Sequence, residues 1–207
     1  MGRVFLEAEP YLDQLKVGQW VEIGCGRAGD DGSTRQLAEW AQQYSPTGRL
    51  TTVDVDPVNC DFVQALNLDN IEIINSTGEE YLESFPSHTD YIGFLYLDNF
   101  DWDWHPDKTE DFVLDQQQRY ATLGMPEMNN VNSQCAHLRQ AELAIRSLAP
   151  ISLVVCDDTW YNKWWGHYSG KSGAVVPFLL NHGFEVIYTE EQPVYGTILG
   201  RRLKRLN

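Results

Sequence analysis

Positive charge is scarce in this chain: fifteen lysines and arginines stand against thirty aspartates and glutamates, a formal net charge of −15 over 207 residues. A surface of that sign repels phosphate backbones, so we expect no nucleic-acid partner. Arg201, Arg202, Lys204 and Arg205 form one basic tail, too short to count as a binding patch. Cysteine is also sparse. Cys25, Cys60, Cys135 and Cys156 are scattered with no CxxC pair, which reads as reduced thiols of a cytoplasmic protein and excludes a disulfide or zinc framework. Long apolar runs are missing. The best, Ala174 to Leu180, contains Pro177 and falls far below the roughly 18 residues of a membrane helix, so no membrane association is expected. The first residues (Met1, Gly2, Arg3, then Glu7 and Glu9) lack a charged-then-apolar leader, and export is not expected either.

What remains is a globular composition, 43% hydrophobic and 22% charged, of a length suited to one domain. Strand-like and helix-like stretches alternate, which predicts an α/β fold with a largely parallel sheet. Trp20–Ile23, Leu50–Val55, Ile71–Ile74, Tyr91–Leu97 and Ile151–Cys156 read as strands. Helices are expected after Ser33 and Thr34, at Phe62–Leu68, Glu79–Phe85, near Ser133–Leu148 and at Ala174–Asn181. Phe184–Tyr188 and Tyr195–Leu199, around Pro193, look like a closing hairpin. The rhythm breaks at about 99–130, a polar and aromatic stretch too long for an ordinary connection, which we read as an ordered insertion over a site.

Glu22-Ile23-Gly24-Cys25-Gly26-Arg27-Ala28-Gly29 lies between a predicted strand and a predicted helix. Glycines there let the backbone turn tightly and approach a ligand. The spacing satisfies GxGxxG, but two features lead away from nicotinamide cofactors. Glu22 precedes the first glycine, where it could meet a cationic group, and Asp54 lies about 30 residues beyond Gly24 where the dinucleotide fingerprint has its acid after about 20.

Val21-Glu22-Ile23-Gly24-Cys25-Gly26, followed by Thr52-Val53-Asp54-Val55-Asp56, resembles the first two motifs of Rossmann-like S-adenosylmethionine-dependent methyltransferases. The resemblance implies a doubly wound, mostly parallel sheet of about seven strands, with a C-terminal antiparallel hairpin and helices on both faces. It implies one methyltransferase domain over 1–207. It also implies that Gly24, Gly26 and Gly29 lie against the methionine part of the cofactor and Asp54 on the ribose, with Ser76 and Thr77 near adenine. Vicinal hydroxyls suit a carboxylate acceptor, so Asp54 is chemically apt.

Asp98 ends the predicted fourth strand, and Asp157 and Asp158 end the fifth. Neighbouring parallel strands bring these endings to the edge where ligands bind. Unpaired, the carboxylates would repel one another and be costly to bury, a conflict that an oxygen-seeking divalent cation resolves. Helix capping is the alternative, or a metal-free enzyme in which Asp98 neighbours the cofactor's sulfonium. The same motifs resemble metal-dependent small-molecule O-methyltransferases of the catechol and macrocin types, which implies Mg²⁺ on Asp98, Asp157 and Asp158. The catechol type carries a lysine base three positions after the first metal aspartate. Here Asp101 stands there, with His105 and His137 as rival bases.

Aromatic residues follow both strand ends: Trp102, Trp104 and His105, then Trp160, Tyr161, Trp164, Trp165, His167 and Tyr168. They fit a pocket wall for a planar acceptor as well as internal packing or a homodimer interface. The expectation is Mg²⁺-assisted methyl transfer from S-adenosylmethionine to a small-molecule hydroxyl. The alternatives are a metal-free enzyme acting on nitrogen or carboxylate, a non-catalytic S-adenosylmethionine-binding protein and, last, a nicotinamide oxidoreductase.

Overall fold

The computed structural model describes residues 3–28, 32–87, 89–102, 109–191 and 196–204. Five parallel strands form the centre of a seven-stranded sheet: β1 (Gln19–Ile23), β2 (Leu50–Asp54), β3 (Ile71–Asn75), β4 (Ile92–Leu97) and β5 (Leu148–Cys156). After the short β6 (Thr159–Asn162) and β7 (His167–Gly170), which form a separate antiparallel pair, β8 (Glu185–Thr189) and β9 (Thr197–Arg201) complete the sheet. The order is β3-β2-β1-β4-β5-β9-β8, with β9 antiparallel to both β5 and β8. The chain therefore reverses direction of build between β1 and β4, the crevice where open α/β sheets bind ligands.

Seven helices are described: α1 (Arg3–Leu12), α2 (Gly32–Tyr44), α3 (Pro57–Ala65), α4 (Gly78–Ser84), α5 (Glu110–Thr122), α6 (Asn130–Ala144) and α7 (Val175–Asn181). All six positions of β4 are buried, because each face of the sheet is covered. One face packs Trp20, Phe94, Tyr96 and Leu153 under Leu12 of α1 and Leu37 and Ala41 of α2. The other packs Ile23, Leu95, Leu97 and Val154 under Leu82 of α4, Ala141 and Ala144 of α6 and Leu179 of α7. Trp20 and Phe94 stack at 4.7 Å between ring centroids, so truncating Phe94 to alanine should cost about 3–5 kcal/mol. Among the described residues no helix is long and apolar enough to cross a membrane.

The strand order, the hairpin and helices on both faces match the predicted architecture. Several features differ: the β6–β7 hairpin was not expected, and α3 begins at Pro57 where a helix was expected from Phe62. α1 precedes the first strand, where no element was expected; its stripe of Val4, Ala8, Tyr11 and Leu12 is buried on the sheet. The insertion contains a full helix, α5, whose N-cap Thr109 accepts from Phe112 N. β5 begins at Leu148, before Pro150, because its first residues extend the pairing with Ile92.

Candidate active site

A cavity of about 830 Å³ opens over the C-terminal ends of β1, β2, β4 and β5 and under the insertion, within the usual size range of small-molecule sites. Its floor begins at the glycine turn. Gly24 adopts φ +94°, and a Cβ there would meet Asn99 N at 2.5 Å, so only glycine lets the ends of β1 and β4 lie this close. The turn is pinned by Gly26 N, which donates to Thr34 Oγ1 at 2.7 Å. Thr34 Oγ1 in turn donates to Glu22 Oε2 at 2.8 Å. Ser33 Oγ and Thr52 Oγ1 also donate to Glu22, at 2.7 and 2.6 Å. Burial pushes the Glu22 carboxyl up to about 7 against the pull of these three hydroxyls. Glu22 therefore lies beneath the loop as its anchor, fully buried, with both oxygens already engaged.

Gly24, Gly26, Asp54, Ser76 and Thr77 all line the cavity, while Gly29 lies outside the described residues. Asp54 accepts from Cys25 N at 3.1 Å and Asp56 N at 2.7 Å, tying the first loop to the second. Burial raises its carboxyl above the ordinary range despite these bonds. Thr77 spends its hydroxyl on capping α4, accepting from Glu80 N at 3.2 Å, and Ser76 Oγ donates to Glu80 at 3.1 Å.

The far wall holds the predicted carboxylates. Asp98 N donates to Ile23 O at 2.9 Å and Asp157 N to Leu97 O at 3.0 Å, so the sheet ladder itself fixes both residues. Asp158 follows at φ +45°, in the left-handed region. Amid the three stands Lys171. Its Nζ is 2.5 Å from Asp98 Oδ1, 3.1 Å from Asp158 Oδ2 and 4.0 Å from Asp157 Oδ2, and its side chain is only 4% exposed. The β6–β7 hairpin delivers it: Lys171 N donates to Asp158 O at 3.1 Å, and Gly170 at φ +93° makes the approach feasible, since a Cβ there would lie 1.9 Å from Asp158 O. Burial favours the neutral amine, but the carboxylates of Asp158, Asp98 and Asp157 outweigh it and hold the ammonium well above its ordinary range. Burial and its two acidic neighbours, Asp98 and Asp158, raise the Asp157 carboxyl well above the ordinary carboxylate range.

The expected Mg²⁺ does not fit this arrangement. The positive charge that the carboxylates require is supplied by Lys171, whose ammonium occupies the space between them. Among the described residues no group of three or more histidine, cysteine, aspartate or glutamate side chains is set to hold an ion. The prediction rested on three carboxylates needing a cation; the need is real, and the cation comes from the chain itself.

Of the predicted bases, Asp101 lines the cavity and is ion-paired to Arg27 Nη1 at 3.1 Å. His105 lies outside the described residues. His137 is fully buried behind the cluster, with Nδ1 donating to Ser133 O at 2.8 Å. Burial and the charge of Lys171 push it down to about 4, so it stays neutral at physiological pH. The aromatic wall comes from unexpected places, since the rings lining the cavity are Phe5, Tyr96, Phe100 and Tyr120. Trp102 packs against Trp160 at 5.3 Å, whereas Trp164 and Trp165 at the hairpin tip are 86% and 77% exposed. Trp104 lies outside the described residues.

Sequence reasoning missed Lys171 altogether, together with Arg119 and Tyr120 of α5. Arg119 Nε donates to Asp56 Oδ2 and its Nη2 to Asn59 Oδ1 at 3.2 Å, while Tyr120 Oη accepts from Asp101 N at 2.6 Å. One signal for Lys171 was available: it is the single lysine or arginine between Lys163 and Arg201, set in Gly-Lys-Ser-Gly.

No family model and no curated sequence matches the chain. Solved structures do. SMU.1697c from Streptococcus mutans, assigned as a methyltransferase and solved with SAH, aligns over 97% of this chain and 99% of its own at a TM-score of 0.53 and 12% identity. NSun6 from Pyrococcus horikoshii, solved with SFG, covers 100% of this chain at 0.54 and 11% identity, with 53% of its own length matched. A spermidine synthase in complex with the transition-state analogue AdoDATO covers 99% of this chain and 62% of its own, at 0.52 and 11% identity. The fold is that of the Rossmann-like methyltransferases. Because a spermidine synthase shares it, this fold alone does not fix which group is transferred, and the chemistry has to be argued from the cavity.

Proposed function

We propose that this protein is an S-adenosylmethionine-dependent methyltransferase acting on a small-molecule hydroxyl. The observation that carries the reading is one cavity with the glycine turn and Asp54 at one end and the Asp98–Asp158–Lys171 cluster at the other. In this reading the cofactor's amino acid end lies along Gly24–Gly26, with Arg27 and Arg35 as cations for its carboxylate, and Asp54 accepts from the ribose hydroxyls. The methyl group then faces the cluster.

Methyl transfer is an in-line displacement at a carbon activated by positive sulfur, so the protein has to align donor and acceptor and take one proton. The acceptor O–H loses its proton to the Asp158 carboxylate. The oxygen forms a bond to the methyl carbon as the carbon–sulfur bond breaks and its electron pair stays on sulfur, leaving S-adenosylhomocysteine and a methyl ether. Lys171 stabilises the developing negative charge on the oxygen, and Asp158 releases the proton to solvent.

The excess of carboxylates over Lys171 favours an amine acceptor as a second reading, with the same cluster deprotonating an ammonium. Calorimetry comes first. S-adenosylhomocysteine should bind, and NAD should not. Transfer of labelled methyl from S-adenosylmethionine to matched panels of phenols, alcohols and amines then separates the two readings. Label on amines alone would replace the hydroxyl reading, and failure of S-adenosylhomocysteine to bind would end both.

A further inference from the structure

We propose that Lys171 is a tethered cation standing in the place of a divalent ion, so that the site is metal-independent as built and becomes a metal site once the ammonium is removed. The catalytic consequence rests on the methyltransferase reading, whereas the exchange of one cation for another does not. Lys171 Nζ makes its close contacts with carboxylates that approach from two different strand ends, Asp98 after β4 and Asp158 after β5, with Asp157 beside them. Three carboxylate oxygens, one each from Asp98, Asp157 and Asp158, thus lie within 4.0 Å of one buried point charge, and oxygen donors of this kind are what hard divalent cations take. The backbone fixes Asp98 and Asp157 through their hydrogen bonds to Ile23 and Leu97, and Asp158 through its carbonyl, which accepts from Lys171 N; none of these bonds uses the lysine's ammonium. Lys171 arrives separately, on the β6–β7 hairpin, so deleting its ammonium leaves the backbone positions of the three aspartates in place, free to close on an ion.

The exchange also defines an acceptor class. A divalent ion offers several open positions and grips vicinal oxygens as a chelate. An ammonium is a point-charge donor with three hydrogens, and here Asp98 and Asp158 already lie close to it. The acceptor is accordingly held through one oxygen, and a vicinal diol or catechol has no advantage over the matching mono-hydroxyl compound.

Manganese binding, followed by calorimetry and by the electron paramagnetic resonance of free Mn²⁺, tests this without any assay of turnover. The wild-type chain should bind Mn²⁺ no more tightly than its Asp158→Asn variant. Lys171→Ala should bind one Mn²⁺ at least tenfold more tightly than wild type, and the added Asp98→Asn change should abolish the gain. Lys171→Arg, which keeps the charge, should behave as wild type. Removing the ammonium uncovers buried like charges, so Lys171→Ala is expected to be less stable in EDTA and to recover its melting temperature with millimolar Mn²⁺. Tight wild-type binding lost in Asp158→Asn would overturn the proposal. So would a Lys171→Ala chain that folds but gains no affinity, or one that stays unfolded in millimolar Mn²⁺. Failure of S-adenosylhomocysteine to bind would remove the acceptor argument and leave the cation exchange to stand on the manganese result.

Discussion

Arg27 Nη1 lies 3.1 Å from Asp101 Oδ2, joining the residue just past the glycine turn to the loop that follows β4. The guanidinium also sits 5.5 Å over the Phe112 ring of α5, so one side chain connects the glycine turn, the β4 loop and the insertion. This pairing bears on the choice of base. Both carboxylates line the cavity and are ion-paired at 3.1 Å, but the partner of Asp158 is Lys171, the cation proposed to meet the acceptor oxygen, so Asp158 lies where the proton leaves. Asp158→Asn should therefore lower kcat by about 10²–10⁴, the usual span for a positioned base. Asp101→Asn should lower it by less than about tenfold. Single-turnover rates with one accepted substrate decide; the reverse ranking would return the role to Asp101.

Asp54 is expected to govern cofactor affinity more than rate. Its oxygens organise Cys25 N and Asp56 N at the cavity floor and, in the proposed cofactor pose, accept from the ribose hydroxyls. Asp54→Ala should weaken S-adenosylhomocysteine binding by about 1.5–3 kcal/mol, the scale of hydrogen bonds to a charged group. Calorimetry at constant ionic strength measures it, and an unchanged Kd would remove Asp54 from the ribose.

Much of this was legible beforehand because it depends on local signals. Glycine spacing after β1, the acid closing β2 and apolar runs at strand length are set by neighbouring residues, and they located the sheet, the cavity edge and the carboxylates. Lys171 was not legible, because what matters about it is a contact with Asp98 across 73 positions, created by a hairpin that folds back over β5. Sequence alone showed the unsatisfied charge without showing what satisfies it. The aromatic wall failed for a related reason. Trp164 and Trp165 share a short polar turn that projects into solvent, while the rings that line the cavity come from α1, β4 and the insertion.

The insertion buries Phe100, Trp102 and Met128, but its helix α5 has no buried residue and meets the rest of the site through the Phe100–Tyr120 ring contact and polar side chains. Arg119 reaches Asp56, the N-cap of α3, and the ion pair lowers the Asp56 carboxyl below its ordinary range even though burial pushes it up. Because Arg119 is partly exposed, the latch is worth about 1 kcal/mol after screening. Arg119→Ala should lower the melting temperature by only about 2–4 °C and speed S-adenosylhomocysteine dissociation about fivefold, in line with that 1 kcal/mol. The dissociation rate should rise with salt in the wild type and lose that dependence in the variant. Stopped-flow displacement measures both quantities, and a salt dependence that persists in Arg119→Ala would assign the latch elsewhere.

The Glu22 anchor should leave its mark on stability as a function of pH. Its carboxyl ionises at about 7 in the folded chain against 4.5 for the ordinary group, because burial disfavours the anion. Between these values the folded state holds a proton that the unfolded state has released, so stability falls as pH rises from 4.5 to 7 and levels off above. A shift of this size corresponds to about 3 kcal/mol. His137 acts in the opposite sense: it is held neutral in the folded chain, down at about 4 against 6.5, and favours the folded state as pH rises through that interval. Asp54, Asp98 and Asp157, likewise raised by burial, add to the falling side. Glu22→Gln removes one falling component and keeps the His137 rise, so its melting temperature should fall less with pH between 4.5 and 7 than that of wild type. The amide also brings two donors to a site where Ser33, Thr34 and Thr52 already donate, so the variant should loosen the glycine turn and bind S-adenosylhomocysteine more weakly at every pH. Thermal melts across that interval, with calorimetry at its two ends, read both effects; parallel profiles for the two chains would mean that Glu22 is ionised throughout and is not the buried proton holder described.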